Sequence, residues 1–281
     1  MKTVDPSIVL ADVTRALAED VGSGDVSAAL LLSEQIVEAR ILSREPMLVC
    51  GRPWVDAVFH CVNPEIQVDW LVSEGMWLAQ PAFLCRIQGK ARDILTAERT
   101  ALNFLQTLSA TATQTWHYVQ EIKSTQARLL DTRKTLPGLR VAQKYAVACA
   151  GGMNHRMGLY DAYLIKENHI AACGSITEAI KRARAVNGSL MLEVEVETLD
   201  ELREALEAKP DRILLDNFTL AMLVEAVTMN QPFVCDLEAS GGIDLKTIKS
   251  VAQTGVNYIS VGSITKSIQA IDLSLLLEKC P

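Results

Sequence analysis

The chain lacks most of the signatures that assign a chemistry at a glance. Its seven cysteines, spread over 281 residues, are odd in number and form no C-x-x-C pair. That argues against a disulfide framework and a thioredoxin-like redox motif, and reads as reduced, mostly buried thiols of a cytoplasmic protein. No histidine or cysteine spacing matches a zinc site, and no G-x-S-x-G elbow occurs. "DTRKT" at 131–135 lacks the preceding glycines and the G-K-T order of a Walker P-loop. No apolar run is long enough to cross a membrane. The opening "MKTVDPSIVLADVTRALAEDVG" carries acids within its apolar stretch, so an amphipathic helix over about 7–19 is expected rather than a signal peptide. Positive charge is not in excess either. At a net charge of −7 the chain is a poor partner for nucleic acid or an anionic membrane.

Against that acidic background one stretch stands out. "LLDTRKTLPGLR" (129–140) gathers Arg133, Lys134 and Arg140 around a Pro-Gly turn, directly after an apolar pair that reads as the end of a buried strand. A local cationic cluster in an acidic chain points to a small anion held in a pocket.

Two rhythms divide the chain. Up to about residue 90, strand-like runs ("VEARILS", "MLVCG", "IQVDWLV", "FLCRIQG") surround a helical "RPWVDAVFHC", which suggests an antiparallel α+β layer. "RDILTAERTALNFLQTLSATATQTWHYVQEIKS" is then a long helical pattern without Gly or Pro, the natural join between domains. From residue 128 six strand candidates ("RLLDT", "AYLIK", "MLEVEV", "RILLD", "FVCDLEA", "YISVG") alternate with helical patterns, which means βα units and a parallel sheet. A barrel and an open doubly wound sheet are both compatible, and six strands fall short of the usual eight. All six strands end in polar or glycine-rich residues, which favours the barrel, whose functional groups share the rim after the strands.

That rim carries both signs: Arg133, Lys134, Arg156 and Lys166 against Glu195 and Asp216. Cations suit carboxylates and phosphates. Carboxylates suit sugar hydroxyls, Mg²⁺ or a developing positive charge. "EVEVE" (193–197) sets Glu193, Glu195 and Glu197 on one strand face and Val194 and Val196 on the other. The face is either wet, on an edge strand, or turned to a barrel axis, where cations or a metal make the glutamates tolerable. "EASGG" and "SVGS" could cradle a phosphate at a helix start. His155-Arg156 follows a double glycine in "GGMNHRMGLYDAYLIKENH".

"EDVGSGDVS", "ERTALNFLQTLSATAT", "DTRKTLPGLR", "KYAVACAGGMNHRMGLYDAYLIKENHI", "LEVEVE", "LLDNF", "EASGG" and "YISVGSITKS" together resemble the quinolinate phosphoribosyltransferase family over nearly the whole chain. The resemblance implies an N-terminal α/β sandwich domain (1–105) and a C-terminal open, TIM-like α/β barrel of about seven strands (106–281), with the last residues packing back on the first domain. It implies that quinolinate and phosphoribosyl pyrophosphate, with Mg²⁺, give nicotinate mononucleotide, pyrophosphate and CO₂. It also implies a cytoplasmic homodimer, or a hexamer built from dimers, with an active site shared between subunits. Position by position, Arg133, His155, Arg156 and Lys166 match the quinolinate site, and Arg99 matches the arginine supplied by the neighbouring subunit. Thr132, Lys134, Glu195 and Asp216 match the surroundings of phosphoribosyl pyrophosphate and its metal, held directly or through water. Ser240, Gly241, Gly242, Gly262 and Ser263 match the phosphate loops. Without the resemblance, Lys166 at a strand end also suits a Schiff-base aldolase, and the fold alone also suits a non-catalytic anion-binding relative.

Overall fold

The computed structural model describes residues 3–278, so Cys280 lies outside the described residues. The other six cysteines are free thiols. Only Cys50 and Cys85 are buried, Cys61 is exposed and the rest are half-buried, so "mostly buried" overstates the case.

In the first half the elements run α1 (Pro6–Val21), β1 (Ile36–Ser43), β2 (Met47–Leu48), α2 (Arg52–Val62), β3 (Gln67–Trp70), β4 (Trp77–Leu78), β5 (Ala82–Lys90) and α3 (Ala91–Ile122). Local chemistry starts α1: Asp5 accepts the Ser7 N–H at 2.8 Å and Pro6 occupies the first helical turn. From β6 (Arg128–Leu130) the order is α4 (Arg140–Cys149), β7 (Tyr163–Ile165), α5 (Glu167–Cys173), α6 (Ile176–Asn187), β8 (Leu192–Val196), α7 (Leu199–Ala208) and β9 (Arg212–Asp216). It closes with α8 (Leu220–Asn230), β10 (Asp236–Ser240), α9 (Ile248–Ala252), β11 (Tyr258–Ser260), α10 (Ser263–Lys266) and β12 (Leu273–Leu277).

The chain forms two compact units, and neither is contiguous. One takes the residues up to Trp116, Leu136–Gly151 and the stretch from Ser267; the other takes His117–Thr135 and Gly152–Lys266. The division expected near 105/106 falls inside α3, which runs unbroken from Ala91 to Ile122.

The first unit is built on an antiparallel sheet in the order β12-β1-β5-β3. β1 alternates buried and accessible residues, so Val37, Ala39 and Ile41 enter the core. They meet Val13, Trp54, Phe59 and Ile87 in one apolar cluster. β12 joins β1 antiparallel, pairing Leu277 with Ala39, and is a strand that the sequence pattern left unmarked. Trp54 is fully buried, tilts against Tyr145 at a centroid distance of 5.4 Å, and donates from Nε1 to Asp12 Oδ2 at 3.2 Å.

The second unit holds a six-stranded parallel sheet in the order β6-β11-β10-β9-β8-β7. All six expected strands are present and the barrel is not closed. The sheet has six strands rather than the expected seven or so, and one isolated bridge extends it: Met153 pairs with Leu130 beside β6, donating to Leu129 O at 2.8 Å and accepting from the Asp131 N–H at 3.1 Å. Gly151-Gly152 precede it and the chain turns away after it, so a single residue reaches the ladder. One expected boundary moves: "FVCDLEA" begins as a strand only at Asp236, because Val234 adopts φ 57° and breaks the extended run.

Trp54→Ala should lower the stability of the first unit by about 3–5 kcal/mol through cavity formation. It also leaves the buried Asp12 carboxylate short of a donor. Urea unfolding followed by circular dichroism reads the loss; a change under 1 kcal/mol would contradict this packing.

Candidate active site

A cavity of about 450 Å³ opens at the C-terminal ends of the parallel strands. Thr132, Arg133 and Lys134 reach it from the loop after β6, and His155 and Arg156 from the loop after the Met153 bridge. Lys166 follows β7, Glu195 belongs to β8, Asp216 ends β9 and Ser240 ends β10. Nine expected residues therefore line one space, joined by Leu164, Leu214, Glu238 and Ser260.

β8 is the clearest case of sequence dictating geometry. Val194 and Val196 are buried on one face, while Glu193 and Glu195 turn to the other and only Glu197 remains wet. Glu195 is ion-paired with Lys166 Nζ. A pair at this partly open position contributes little to folding by itself, and its value lies in fixing both side chains.

Below the rim is a second polar set that sequence reasoning did not place in the site. Glu193 and Glu238 are completely buried. His155 Nε2 lies 2.7 Å from Glu193 Oε2 and 3.7 Å from Glu238 Oε2. Arg212 NH1 approaches Glu238 Oε2 at 3.1 Å, and its guanidinium lies over the Tyr258 ring at 4.0 Å. Two carboxylates in one buried space cannot both stay ionised. Burial, and then the charge of Glu193, push Glu238 up to about 8, and burial also raises Glu193, so the pair holds a proton near neutral pH. The Arg156 backbone N–H donates to His155 Nδ1 at 2.7 Å, which leaves the imidazole proton on Nε2, facing the carboxylates. The signal available in sequence was alternation, which put Glu193 on the face of Glu195 in "EVEVE" and Glu238 on the face of Ser240 in "DLEAS".

Asp131, also fully buried, anchors the histidine loop. Its Oδ1 accepts the His155 N–H at 2.8 Å and its Oδ2 accepts Asn154 Nδ2 at 2.7 Å. Arg156 NH1 donates to Ala162 O at 3.2 Å. Burial, then the neighbouring Arg133, lower the Arg156 pKa: like charges are held together there, an arrangement that an anion relieves.

The glycine loops follow β10 and β11. Gly241 sits at φ 96°, and a Cβ there would fall 2.2 Å from Asn217 Oδ1, so only glycine fits. Gly262 lets Lys134 pass, since a Cβ would come 3.1 Å from Lys134 Cδ. Gly242 lies at φ 61°, and Ser263 Oγ is 3.2 Å from the Tyr118 hydroxyl. Arg99 belongs to the first unit, exposed on α3.

The family models for the N-terminal and C-terminal domains of quinolinate phosphoribosyl transferase match residues 25–109 and 111–276. The chain belongs to this family. It is 40% identical over 273 residues to a Mycobacterium leprae nicotinate-nucleotide pyrophosphorylase (carboxylating), covering 94% of this chain and 95% of that one. The solved nicotinate-nucleotide pyrophosphorylase of Francisella tularensis superposes with a TM-score of 0.95 at 46% identity, covering 98% of each chain. That of Ehrlichia chaffeensis gives 0.92 at 35% identity, covering 99% of this chain and 100% of the other. The open six-stranded sheet is thus the fold of the quinolinate phosphoribosyl transferases.

Because Glu238 is raised from 4.5 to about 8 in the folded chain, its contribution to stability is complete below about 4.5 and is lost as pH rises toward about 8. Glu238→Gln mimics the protonated carboxyl and removes that loss. The melting temperature of the variant, relative to the unsubstituted chain, should therefore rise between these two pH values. Parallel pH–melting curves would refute the shared proton.

Proposed function

We propose that this protein transfers the phosphoribosyl group of phosphoribosyl pyrophosphate to the ring nitrogen of quinolinate. Pyrophosphate and CO₂ leave, and nicotinate mononucleotide is formed for NAD synthesis. The observation that carries the reading is one cavity in which Arg133, Lys134, Arg156 and Lys166 meet Glu195 and Asp216. A dicarboxylate beside a sugar phosphate answers that mixture of charges. A Schiff-base role for Lys166 fits less well, because its Nζ is engaged by Glu195 rather than set in an apolar pocket.

In this reading Arg133, Arg156 and Lys166 bind the two quinolinate carboxylates, and His155 presents a fixed ring edge beside them. Arginine serves here through its planar fork. Thr132, Lys134, Ser240, Gly241, Gly242, Gly262 and Ser263 receive the phosphates. With both substrates so held, the ring nitrogen faces C1 of the ribose, and positioning supplies much of the rate. As the C1–O bond to pyrophosphate breaks, positive charge builds on C1; Glu195 and Asp216 stabilise it. The new C1–N bond leaves the ring nitrogen positive. The electron pair released as the adjacent carboxylate departs as CO₂ then flows into that ring, and a proton replaces the carboxylate. No covalent nucleophile is required.

Glu195 and Asp216 present hard carboxylate oxygens, a donor set that fits Mg²⁺ shared with substrate phosphates. Bound there, directly or through water, the ion would neutralise the leaving pyrophosphate. No helix among the described residues is long and apolar enough to cross a membrane. A cytoplasmic location and a homodimer, or a hexamer built from three dimers, are part of the proposal.

The direct test is to mix the protein with quinolinate, phosphoribosyl pyrophosphate and Mg²⁺ and follow nicotinate mononucleotide and CO₂. Nicotinate should be used at least roughly a hundredfold less well, because a ligand without the second carboxylate leaves a cation unpaired at a cost of about 3 kcal/mol. Comparable turnover of both would overturn the assignment of the cations.

Arg99 is proposed to complete the partner's site. Arg99→Ala and Lys166→Ala homodimers should each be nearly inactive, while mixed dimers regain one working site. Heterodimers that stay inactive, with each variant folded and dimeric, would refute the sharing.

A further inference from the structure

The first unit holds a pair of thiols that the proposed reaction does not use. Cys50 Sγ, Cys149 Sγ and a Glu74 carboxylate oxygen all lie within 4.8 Å of one another. Cys50 is completely buried at the end of the turn before α2; Cys149 is half-buried as the last residue of α4. A Cys₂Glu set invites a metal, but the carboxylate is already committed. Glu74 Oε1 accepts the Gly51 N–H at 2.8 Å and the Tyr145 hydroxyl at 3.1 Å, and Oε2 accepts the Arg52 N–H at 3.2 Å. Glu74 thus supplies the N-terminal cap of α2 that Gly51, without a side chain, cannot give. What remains is two sulfurs facing each other, one of them reachable from solvent.

We propose that Cys50 and Cys149 are a peroxide-responsive pair that closes reversibly to an intramolecular disulfide. Cys149 is the attacking thiol. It displaces water from hydrogen peroxide to give a sulfenic acid, and the Cys50 thiol then attacks that sulfur and expels a second water. Two thiols lose two electrons, and the peroxide O–O bond is reduced to two water molecules. The hydrogen bond from Cys50 lowers the Cys149 pKa against the opposing effect of burial, whereas burial raises that of Cys50. The roles follow: an accessible, activated sulfur and a buried resolving one. Closure requires the sulfurs to approach from within 4.8 Å to about 2.0 Å. A disulfide between the start of α2 and the end of α4 would pin the helix from which the chain runs, through Gly151-Gly152, to His155 and Arg156. In a reducing compartment such a bond is transient, as a sensor requires.

The test treats the full-length reduced protein with hydrogen peroxide, then quenches and alkylates it with maleimide under denaturing conditions. Mass spectrometry should find two fewer adducts and one crosslinked peptide pair joining Cys50 to Cys149, both reversed by dithiothreitol. This mapping uses the unsubstituted chain, so it does not depend on a variant folding. In Cys50→Ser, dimedone should trap the sulfenic acid on Cys149 and no crosslink should form at that position. Oxidation confined to the exposed Cys61, or a Cys149 that remains fully alkylated after peroxide, would overturn the proposal. So would a crosslink from Cys149 to any other cysteine.

Discussion

The burial of Glu193 and Glu238 beside one another is the constraint on which the site rests. Two fully buried carboxylates stand on β8 and β10, with Arg212 of the strand between them paired to one. Fully ionised, the pair would carry a desolvation cost larger than any single arginine returns. Singly protonated, it becomes one negative charge between Arg212 and the Nε2 edge of His155. That charge orients the imidazole from below, while the Arg156 N–H fixes its other nitrogen at 2.7 Å. His155 is therefore held at both ring nitrogens before any substrate arrives, which is the preorganisation that a positioning site needs.

The rim works by a different balance. Lys166 and Glu195 neutralise one another, whereas burial and the neighbouring Arg133 raise the cost of charge on Arg156. An anion beside Arg156 lowers that cost. In the proposed reaction binding and chemistry would be separate: the arginines would serve ground state and transition state alike, while Glu195 and Asp216 would act most strongly as C1 turns positive.

Much of this was legible in the residues. The alternation of "EVEVE" foretold which side chains face inward, because a strand has a period of two and valines on one face leave the glutamates no alternative. The strand-end charges foretold the rim, since parallel strands in successive βα units all end at one sheet edge. Three things were not legible. The alternation of "DLEAS" puts Glu238 on the face of Ser240, but its role depends on β10 lying two strands from β8, a tertiary fact. β12 pairs with β1 across more than two hundred residues, and a short Leu-rich run fits helix as well as strand. The bridge at Met153 could not be read, because one residue has no period.

Asp131 shows why the barrel's opening and its chemistry coincide. It sits directly after β6, buried, and its carboxylate is occupied by the backbone of His155 and the amide of Asn154. In a longer seventh strand these residues would be bound to neighbouring strands in a regular ladder, their side chains alternating between faces. Because only Met153 bridges to β6, Asn154, His155 and Arg156 follow Asp131 instead, so that His155 turns toward the carboxylates and Arg156 toward the cavity in consecutive positions. Two adjacent residues on a regular strand could not both line one space. The irregularity that leaves the sheet open is the same irregularity that delivers the His155-Arg156 pair to the site.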